Sequence, residues 1–237
     1  STIAIVARPQ TDQNGWPVDV PDGSDIPQNG MVLWLDANDV DADGQIDSGT
    51  DYLKLANWAD KAGKDHNATQ TTVFRQPEIR ANQLPERPAL NLLVFDGNQS
   101  LAFPTISQGR TFFWVLRRNP SSFVHAQFFS LEGTGTWGSQ NQWRYFWTNN
   151  SSINEGVGRK NGEGFGIQEN YTFGAGFQVL TLRTTDFVPA DLIGKEGNSE
   201  NYFTGNIGEI LVYDRALTES EIRLVEQYLG SKWGIAL

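Results

Sequence analysis

The chain has 237 residues and a net charge of −10, from 18 Lys and Arg against 28 Asp and Glu. This length suits a single large β domain with a full two-sheet core. The negative field repels phosphate backbones and anionic membrane surfaces and opposes acidic polysaccharides, so it argues against nucleic acid as a partner. The chain has no cysteine, which excludes disulfides, thiolate metal sites and cysteine nucleophiles. No apolar run reaches membrane-spanning length, so no membrane insertion is predicted.

The N-terminal part of the chain, residues 1–30, is rich in Pro, Asp and Gly and contains one apolar run, Ile3–Ala7. This composition predicts an entry strand followed by a linker, and the remainder, residues 31–237, is predicted to form one domain. The start, Ser1–Ile3, carries no signal peptide and is typical of a piece excised from a longer protein. Other domains of such a parent protein are therefore expected as partners.

Beyond residue 30, short runs of β-branched and aromatic residues alternate with turn clusters such as Asp96–Asn98. The predicted strands are Val32–Leu35, Leu90–Phe95, Thr111–Leu116, Gln127–Leu131, Trp143–Trp147, Gly164–Ile167, Phe177–Thr181 and Ile207–Tyr213. Many short strands without intervening helices predict an all-β fold, an antiparallel sandwich of two sheets.

One helix is predicted near the C-terminus. The segment Thr218–Glu221 has the sequence of a capping box, which marks the start of a helix. The apolar residues that follow on one face at helical spacing are Ile222, Val225 and Leu229. Gly230 is expected to end the helix, with Lys232 near its negative end.

The acidic segment Asp39–Asp47 predicts a calcium site. Carboxylates recur at alternate positions, Gly44 follows the third of them and permits a sharp turn, and a further carboxylate closes the segment. Calcium takes six to eight oxygen ligands, so it needs several carboxylates that converge on one point. The predicted ligands are Asp39, Asp41, Asp43, Gln45 through its main-chain carbonyl, and Asp47. The expected role of the ion is structural, because a metal that organises a loop stabilises the surrounding fold.

The pattern of this acidic segment matches the first nine positions of an EF-hand loop, but Thr50 stands at the twelfth position, where that motif has Glu. The flanks are not EF-hand helices either, since Met31–Asp36 is strand-like and Asp47–Asp51 is rich in turn residues. The alternative is a solvated acidic loop without metal, because runs of charge are often only that.

Short motifs spaced along the chain resemble, as a set, one known family. They are the segments 33–37 (LWLDA), 58–63 (WADKAG), 94–97 (VFDG), 207–217 (IGEILVYDRAL) and 232–235 (KWGI). Over residues 31–237 they are similar to the concanavalin A-like, laminin-G-type jelly-roll modules of bacterial extracellular proteins. The resemblance implies two antiparallel sheets in a jelly roll, often with bound calcium, and frequent binding to glycans or to other proteins. It fixes no ligand, because one fold serves many functions.

The family motifs also contain side chains that are expected to build the scaffold. The tryptophans expected to fill or seal the sandwich core are Trp34, Trp58, Trp114 and Trp233. Asp60 and Asp96 stand beside glycine turns and are expected to cap backbone amides rather than bind metal.

An aromatic segment rich in amides, Trp137–Asn150, is the best candidate for ligand binding. Because the side chains of a strand alternate, Trp143, Tyr145 and Trp147 share one face. Aromatic rings pack on the apolar faces of sugars, and amide and guanidinium groups bind sugar hydroxyls. The predicted ligand-binding residues are Trp137, Trp143, Tyr145, Trp147, Asn149 and Arg159. The alternative, that these rings form the inward face of a strand, is equally open.

The sequence lacks the features of a site that cleaves polysaccharides. Sandwich glycosidases of this fold carry paired carboxylates along one strand, and no Glu-x-Asp-x-x-Glu-like run occurs here. The pair Glu219 and Glu221 belongs to the helix cap. Neither His66 nor His125 stands in a serine-nucleophile or metal-ligand motif, and each is expected to be a surface or turn residue. We therefore predict a protein without enzymatic activity.

These observations combine into one prediction: a calcium-dependent, lectin-like module that binds a glycan or polysaccharide. An acidic chain without cysteine and with a calcium loop suits a secreted or surface bacterial protein, such as an adhesin or a polysaccharide-degrading enzyme. Two alternatives remain open. One is a protein-binding or structural adhesion module, and the other is a glycosidase or lyase whose site is not recognised.

Overall fold

Antiparallel strands and one long helix make up the part of the chain that can be described. The computed structural model describes residues 21–47, 52–81, 83–84, 87, 89–119, 129–130, 150–167, 176–197 and 200–237. The strands are β1 (Met31–Asp36), β2 (Asn57–Trp58), β3 (Ala68–Thr69), β4 (Glu78–Arg80), β5 (Leu92–Asp96), β6 (Leu101–Arg118), β7 (Phe129–Ser130), β8 (Val157–Lys160), β9 (Glu163–Phe165), β10 (Gln178–Ile193) and β11 (Thr204–Tyr213). The helical elements are a 3-10 turn (Val73–Arg75), α1 (Ser151–Asn154) and α2 (Glu219–Trp233).

The centre of the sheet is formed by β11, β6 and β10, which pair antiparallel. The order across the sheet is β4-β5-β11-β6-β10-β8-β9, and β1 also pairs with β11. Strands β5 and β1 share one edge of β11, since β5 pairs with residues 204–207 and β1 with residues 209–213. Asp36, the last residue of β1, therefore lies opposite Glu209.

The two longest strands, β6 with 18 residues and β10 with 16, do not run straight. Their register shifts between Arg183 and Val188 and twice more before Leu192, and bulges of this kind bend a strand and increase its twist. Both halves of β6 place side chains in one core cluster, for example Phe103 and Trp114, so the sheet folds over on itself. This arrangement is that of a β-sandwich, and the predicted all-β antiparallel fold with one C-terminal helix is confirmed.

The main core lies inside the folded sheet and is dominated by aromatic rings. Phe112 and Trp114 stack with their ring centroids 5.8 Å apart and their planes within 5°, and Phe129 packs edge-on against Trp114. Trp58 is also fully buried in this core, and its Nε1 donates to the Asp36 carbonyl oxygen over 2.9 Å. Burying a large apolar side chain contributes about 1.5–3 kcal/mol, so these rings supply much of the stability of the sandwich.

A second apolar cluster lies between the sheet and α2. On β11 the side chains alternate, so that Ile210 and Val212 face the main core while Leu211 and Tyr213 face the helix. The helix buries its predicted face, made of Ile222, Val225 and Leu229. Because β11 is covered on both faces, residues 207–213 form a nearly continuous apolar run instead of an alternating one.

The four tryptophans that were expected in the core are buried, which confirms that prediction. Trp34 and Trp233 belong to the second cluster, with 8% and 1% of their surface exposed. Residues 21–30 pack beside Trp34: Ile26 is 3% exposed, and a Cβ placed on Gly23 would lie 2.6 Å from the Trp34 ring. This is the described part of the predicted linker over residues 1–30, and the domain boundary at residue 31 stays a prediction.

Helix α2 begins where the sequence predicts but ends later. The capping box is present, since the Thr218 hydroxyl accepts from the Glu221 amide and the Glu221 carboxylate accepts from the Thr218 amide. The prediction that Gly230 ends the helix is wrong, because the helix continues to Trp233 and closes at Gly234 in the left-handed conformation, with φ 65°. Gly230 instead permits close packing, as a Cβ there would lie 2.9 Å from the Ile235 carbonyl oxygen. None of the helices in the described residues is long and apolar enough to cross a membrane.

A buried network of charged groups joins β1, β11 and α2. Lys232 is 1% exposed, and its Nζ donates to Asp36 over 2.6 Å and to the Tyr228 hydroxyl over 3.0 Å, and lies 2.9 Å from Glu209. Asp36 and Glu209 have no exposed surface. Burial opposes the ionisation of Asp36, but Lys232 and Lys61 outweigh it and lower the pKa of this carboxyl to about 2. Asp36 is therefore ionised at neutral pH despite its burial.

The second carboxylate of the network, Glu209, is held by neutral donors as well. It accepts from Trp34 Nε1, from Trp233 Nε1 and from the Tyr228 hydroxyl, each over 2.7 Å. Hydrogen bonds to charged groups contribute about 1.5–3 kcal/mol each, and they compensate here for the loss of water around the carboxylate. The indole N–H groups of Trp34 and Trp233 thus hold the buried carboxylate of Glu209 in place.

We predict that Lys232→Met lowers the free energy of unfolding by about 3–5 kcal/mol, because it leaves two buried carboxylates without their shared cation. The matched control is Tyr213→Phe at another fully buried position, where the hydroxyl has no hydrogen-bond partner. Removing that hydroxyl should change stability by less than about 1 kcal/mol and can increase it. Urea unfolding of both variants at pH 7 tests this, and a Lys232→Met protein as stable as the wild type would contradict it.

Candidate functional site

The acidic loop, defined here as Asp39–Asp47, leaves the end of β1 and is closed by its own backbone. The Asp47 amide donates to the Asn38 carbonyl oxygen over 2.7 Å, which brings the two ends of the loop together. Gly44 has φ 83°, so it adopts the left-handed conformation that the predicted turn requires. Ala42 also has a positive φ, 61°, which is uncommon for a residue with a side chain. Val40 is 8% exposed and anchors the loop in the main core.

Three carboxylates of the loop converge. Oxygen atoms of Asp39, Asp41 and Asp43 all lie within 4.8 Å of one another, Asp39 being buried and the other two exposed. Asp39 Oδ2 accepts from the Gly44 amide over 3.2 Å and lies 2.7 Å from Lys61 Nζ. Its other oxygen, Oδ1, is buried and has no hydrogen-bond partner. Because a buried carboxylate oxygen without a partner is costly, this group fits a metal ion that would complete its coordination.

The two other predicted ligands, Gln45 and Asp47, lie outside this group of three. The Gln45 amide donates to Asp43 Oδ1 over 2.8 Å, which fixes the turn. Asp47 Oδ2 accepts from the Val40 amide over 2.6 Å, so this carboxylate helps to close the loop. Their assignment as metal ligands stays a prediction.

The loop concentrates negative charge in the absence of a cation. Burial raises the pKa of Asp47, and the carboxylates of Asp41, Asp39 and Asp43 raise it further, against the lowering effect of the Val40 amide. A group with a raised pKa resists ionisation, so burial and the neighbouring carboxylates disfavour the charged form of Asp47. A divalent cation bound by the same carboxylates would relieve that repulsion.

Lys61 connects the loop to the buried network, and the sequence analysis did not identify it as part of the site. Its Nζ lies 3.2 Å from Asp36 and 2.7 Å from Asp39. Burial alone would lower the pKa of Lys61, but Asp36 and Asp39 outweigh it and raise the pKa. Lys61 follows Asp60 in a tight turn, and that turn is the sequence feature from which its position could have been predicted.

Asp60 holds this turn by capping backbone amides, as expected. Its carboxylate accepts from the amides of Trp34, Ala62, Lys64 and His66 over 2.9–3.3 Å. The His66 ring is part of the same turn, since its Nδ1 lies 2.9 Å from the Val32 carbonyl oxygen. Asp60 therefore has a structural role rather than that of a metal ligand.

Most of the predicted sugar-binding residues, namely Trp137, Trp143, Tyr145, Trp147 and Asn149, lie outside the described residues. Arg159 is described, on β8, and its guanidinium binds Glu226 of α2 through Nε and Nη2 over 2.9 and 3.0 Å. The same Nη2 donates to the Gly162 carbonyl oxygen over 2.6 Å. Arg159 thus ties β8 to α2, and a sugar would have to compete for these donors, so its role in ligand binding stays a prediction.

Two groups of carboxylates could be considered for acid–base chemistry, the neighbouring pair Asp36 and Glu209 and the helix-cap residue Glu221. Both have structural roles. Asp36 and Glu209 meet at Lys232 but have no exposed surface, so a substrate has no access to them. At the start of α2, the Arg215 guanidinium lowers the pKa of Glu221 to about 2, so this residue is ionised at neutral pH and is unsuited to act as a general acid. The expected role of Glu221 in the helix cap is confirmed.

No known protein family and no characterised protein matches the sequence of this chain. Among solved structures, Trypanosoma rangeli sialidase in complex with sialic acid matches with a TM-score of 0.50 and 15% identity, over 92% of this chain and 36% of the sialidase. Domain 4 of an extracellular GH43 arabinanase from Geobacillus stearothermophilus, in complex with arabinotriose, matches with a TM-score of 0.44 and 12% identity, over 82% of this chain and 97% of that domain.

The binding domain of botulinum neurotoxin DC also matches, with a TM-score of 0.36 and 12% identity, over 85% of this chain and 52% of that domain. At these identities the similarity to the sialidase shows a shared fold and nothing more. The present chain spans about a third of the sialidase chain, 36% of its length. The β-sandwich is therefore shared with part of a larger protein, and the laminin-G-type superfamily stays a prediction.

We predict that Asp47→Asn leaves stability unchanged, or raises it by up to about 1 kcal/mol, when divalent metal is removed by chelator at pH 7. The reason is the raised pKa of Asp47, which makes its ionised form unfavourable in the folded protein. The amide oxygen of Asn can still accept from the Val40 amide. Below about pH 4 the Asp47 carboxyl is protonated in both the folded and the unfolded protein, so the penalty for its ionisation is gone. The advantage of the variant over the wild type should therefore disappear there.

The matched control for this charge change is Asp25→Asn, at an exposed position outside the loop. Thermal unfolding in chelator, recorded at pH 7 and in acid, compares the two variants with the wild type. A loss of more than about 1 kcal/mol for Asp47→Asn in chelator would show that its carboxylate stabilises the empty loop, against this prediction.

Proposed function

We propose that this chain is a calcium-binding, lectin-like carbohydrate-binding module. The observation that carries the metal part is the buried Asp39 Oδ1, which has no hydrogen-bond partner and belongs to a group of converging carboxylates with Asp41 and Asp43. The carbohydrate part is supported by the composition of Trp137–Asn150, where aromatic rings stand among amides and an arginine.

Calcium suits this loop better than the other common divalent metals. The available ligands are carboxylates and main-chain carbonyls of a glycine-containing loop, which are hard oxygen donors. The segment has neither histidine nor cysteine, the usual ligands of zinc. Magnesium demands near-ideal octahedral geometry, whereas calcium accepts the irregular arrangement that an acidic loop provides. The residues that would hold the ion are Asp39, Asp41 and Asp43, with Gln45 and Asp47 as further candidates.

A carbohydrate ligand is consistent with the shared fold. The sialidase resembles this chain over part of its own length, and its structure contains sialic acid. The similarity by itself concerns only the fold. Rigid sandwiches carry recognition on their loops and edges. In the sequence, Trp137–Asn150 immediately precedes α1. Catalysis is not part of the proposal, since the buried and capping carboxylates described above already have structural partners.

We propose an extracellular setting on the basis of the proposed calcium site. Calcium is plentiful outside cells, where an ion can stabilise a chain that has no cysteine for disulfides. We therefore place the module in a secreted or surface bacterial protein, such as an adhesin or a polysaccharide-degrading enzyme, together with further domains.

A protein-binding module is the second candidate, and one observation favours it. Tyr52, Leu53, Val73 and Phe74 are apolar and between 53% and 65% exposed. The first two pair through their backbone with Ile79, and the last two lie on the 3-10 turn just before it. Exposed apolar side chains on neighbouring segments are typical of interaction surfaces.

We predict that calcium raises the melting temperature and that Asp41→Ala with Asp43→Ala removes this gain. An ion that binds only the folded state adds about 2.7 kcal/mol of stability when its free concentration is a hundredfold above its dissociation constant. Thermal unfolding with chelator, with millimolar calcium and with millimolar magnesium measures the effect. Asp25→Ala, at an exposed position outside the loop, is the control and should keep the full gain. A wild-type melting temperature that does not respond to calcium would overturn the metal part of the proposal.

We predict that Trp147→Ala loses retention on a glycan array while its melting temperature stays close to that of the wild type. Packing of a sugar on an exposed ring is a short-range contact, so its loss affects binding and not folding. The control is Trp114→Ala, which removes a fully buried ring and should cost about 3–5 kcal/mol of stability. Collapse of Trp147→Ala to the level of the control would show that Trp147 belongs to the core.

The array is run with calcium and with chelator, and bound glycans are recovered and checked for cleavage. Retention of intact glycan supports the proposal. A wild-type protein that binds no glycan in either condition would refute the carbohydrate part and favour the protein-binding candidate. Cleavage that a single carboxylate substitution abolishes would show that the chain is an enzyme.

A further inference from the structure

A cleft of about 300 Å³ lies at one end of the sheet, where β5, β11 and β6 run side by side. The polar residues that line it are Asp96, Arg117, Arg118, Asn119, Thr204 and Asn206. Pockets that hold small ligands begin at about this volume, which suits a single sugar ring. The sequence analysis assigned no ligand to any of these residues.

The strand register explains why these side chains meet. Asp96 pairs with Thr204, and Asn206 pairs with Arg117, so polar residues of three neighbouring strands stand in adjacent rows. Gly205 lies between the two rows, and a Cβ there would come within 2.1 Å of the Arg117 carbonyl oxygen. Only glycine allows β11 to pass this close to β6, which keeps the neighbouring side chains in one concave surface.

Arg117 is the distinctive group of this cleft. Its Nε and Nη2 both donate to Asn206 Oδ1, over 3.2 and 2.8 Å, and its guanidinium lies 4.7 Å from the centre of the Phe177 ring. Neither partner carries a negative charge, and no carboxylate among the described residues forms an ion pair with Arg117. Burial therefore lowers the pKa of Arg117, without a compensating acidic neighbour.

Two other arginines of the described chain are paired with carboxylates, whereas Arg110 resembles Arg117 in binding a carbonyl oxygen and lying over a ring. Arg159 binds Glu226, and Arg215 binds Glu221, each over less than 3 Å. In a protein with a net charge of −10, a half-buried guanidinium bound only to an amide and a ring is an unusual and unfavourable arrangement. Arg118, the next residue, also lines the cleft but is only 3% exposed, so Arg117 is the guanidinium that a ligand can reach. The cleft thus presents a half-buried positive charge on an acidic protein.

We propose that this cleft binds an acidic sugar, with the guanidinium of Arg117 donating to the sugar carboxylate and with Asn206, Thr204 and Asp96 binding its hydroxyls. This inference rests on the proposed carbohydrate-binding function and names the class of sugar. Nε and Nη2 of Arg117 hold Asn206, so its other edge, Nη1 with Nη2, faces the ligand. The planar donors of such an edge match the two oxygens of a carboxylate. The ligand supplies the negative charge that the described residues do not.

The composition of the cleft favours an acidic sugar over a simple anion. Asp96 would repel phosphate or sulfate, but its carboxylate is a strong acceptor for the hydroxyls of a sugar. Thr204 and Asn206 add groups that both donate and accept. A carboxylate bearing several hydroxyls on one ring matches all of these groups together, whereas a bare carboxylate uses only Arg117.

The negative charge of the whole protein does not exclude such a ligand. At physiological ionic strength charges are screened beyond about 8 Å, so the nearest groups determine affinity inside the cleft. The remaining charge mainly slows the approach of an anion, and it does so most at low salt. The sequence-based argument against acidic polysaccharides concerns only this long-range repulsion between the net charge of the protein and the approaching ligand.

Isothermal titration of the full chain in calcium tests the proposal with four probes: glucuronate, methyl α-N-acetylneuraminate glycoside as its free acid, methyl glucoside and acetate. We expect at least one acidic sugar to bind at least tenfold more tightly than methyl glucoside and acetate. Arg117→Gln should weaken that binding at least tenfold. Arg223→Gln makes the same charge change on an exposed face of α2 and should leave it unchanged.

A second variant, Asn206→Asp, retains Arg117 but places a carboxylate at the position of its amide partner. The new carboxylate would form an ion pair with Arg117 and so take the place of the sugar carboxylate. It should weaken acidic-sugar binding as Arg117→Gln does, and melting temperatures confirm that each variant is folded. Equal binding by the wild type and both variants would overturn the inference, as would equal affinity for acetate and the acidic sugars. Binding of neutral glycans alone, lost in Trp147→Ala, would overturn the inference but leave the proposed function intact. Binding of no sugar at all would refute both.

Discussion

The buried ammonium of Lys232 is the interaction on which the rest of the molecule depends. It neutralises Asp36 at the end of β1 and Glu209 in the middle of β11, and it comes from the last turn of α2. None of these three groups can move into water without breaking the apolar cluster around it. The network therefore fixes how the helix sits on the sheet and where β1 ends. Buried ion pairs add little net stability compared with apolar side chains, so their main effect here is to specify this one arrangement.

The same network determines the electrostatics of the acidic loop. Asp36, Glu209 and Asp39 are three buried carboxylates, and Lys232 and Lys61 are the two ammonium groups that neutralise them. Two ammonium groups thus face three buried carboxylates, and Asp39, the one that belongs to the loop, lies next to the exposed carboxylates of Asp41 and Asp43. A cation at this position would complete the charge balance of the interior and reduce the repulsion in the loop. The candidate metal site is thus connected to the core network through Lys61.

The sequence predicted features that depend on local rules, and it missed features that depend on distant residues. The capping box at Thr218 and the apolar face of α2 were correct because helix periodicity and capping are local. The end of α2 was wrong because Gly230 is required by packing against the chain end, which no local pattern reveals. Strand β6 was predicted only over its apolar half, since residues 101–110 include Pro104 and alternate irregularly between buried and exposed. Lys232 and Asp36 are 196 residues apart in sequence, and Arg117 meets Asn206 only through strand pairing, so neither contact could be predicted.

Strand β11 runs from the proposed sugar cleft to the buried network that contacts the acidic loop, which determines how calcium can affect sugar binding. Asn206 in the cleft and Glu209 in the network are three residues apart on β11, or about 10 Å of extended chain. The charge of a bound ion acts on the cleft through space only within the screening length, about 8 Å at physiological salt. A dependence of sugar binding on calcium that persists at high salt would instead pass through the backbone of β11, whose register shifts between Ile207 and Glu209. At low salt the electrostatic contribution increases, because the ion also reduces the negative charge that repels an acidic sugar. The salt dependence of the coupling thus separates the mechanical contribution from the electrostatic one.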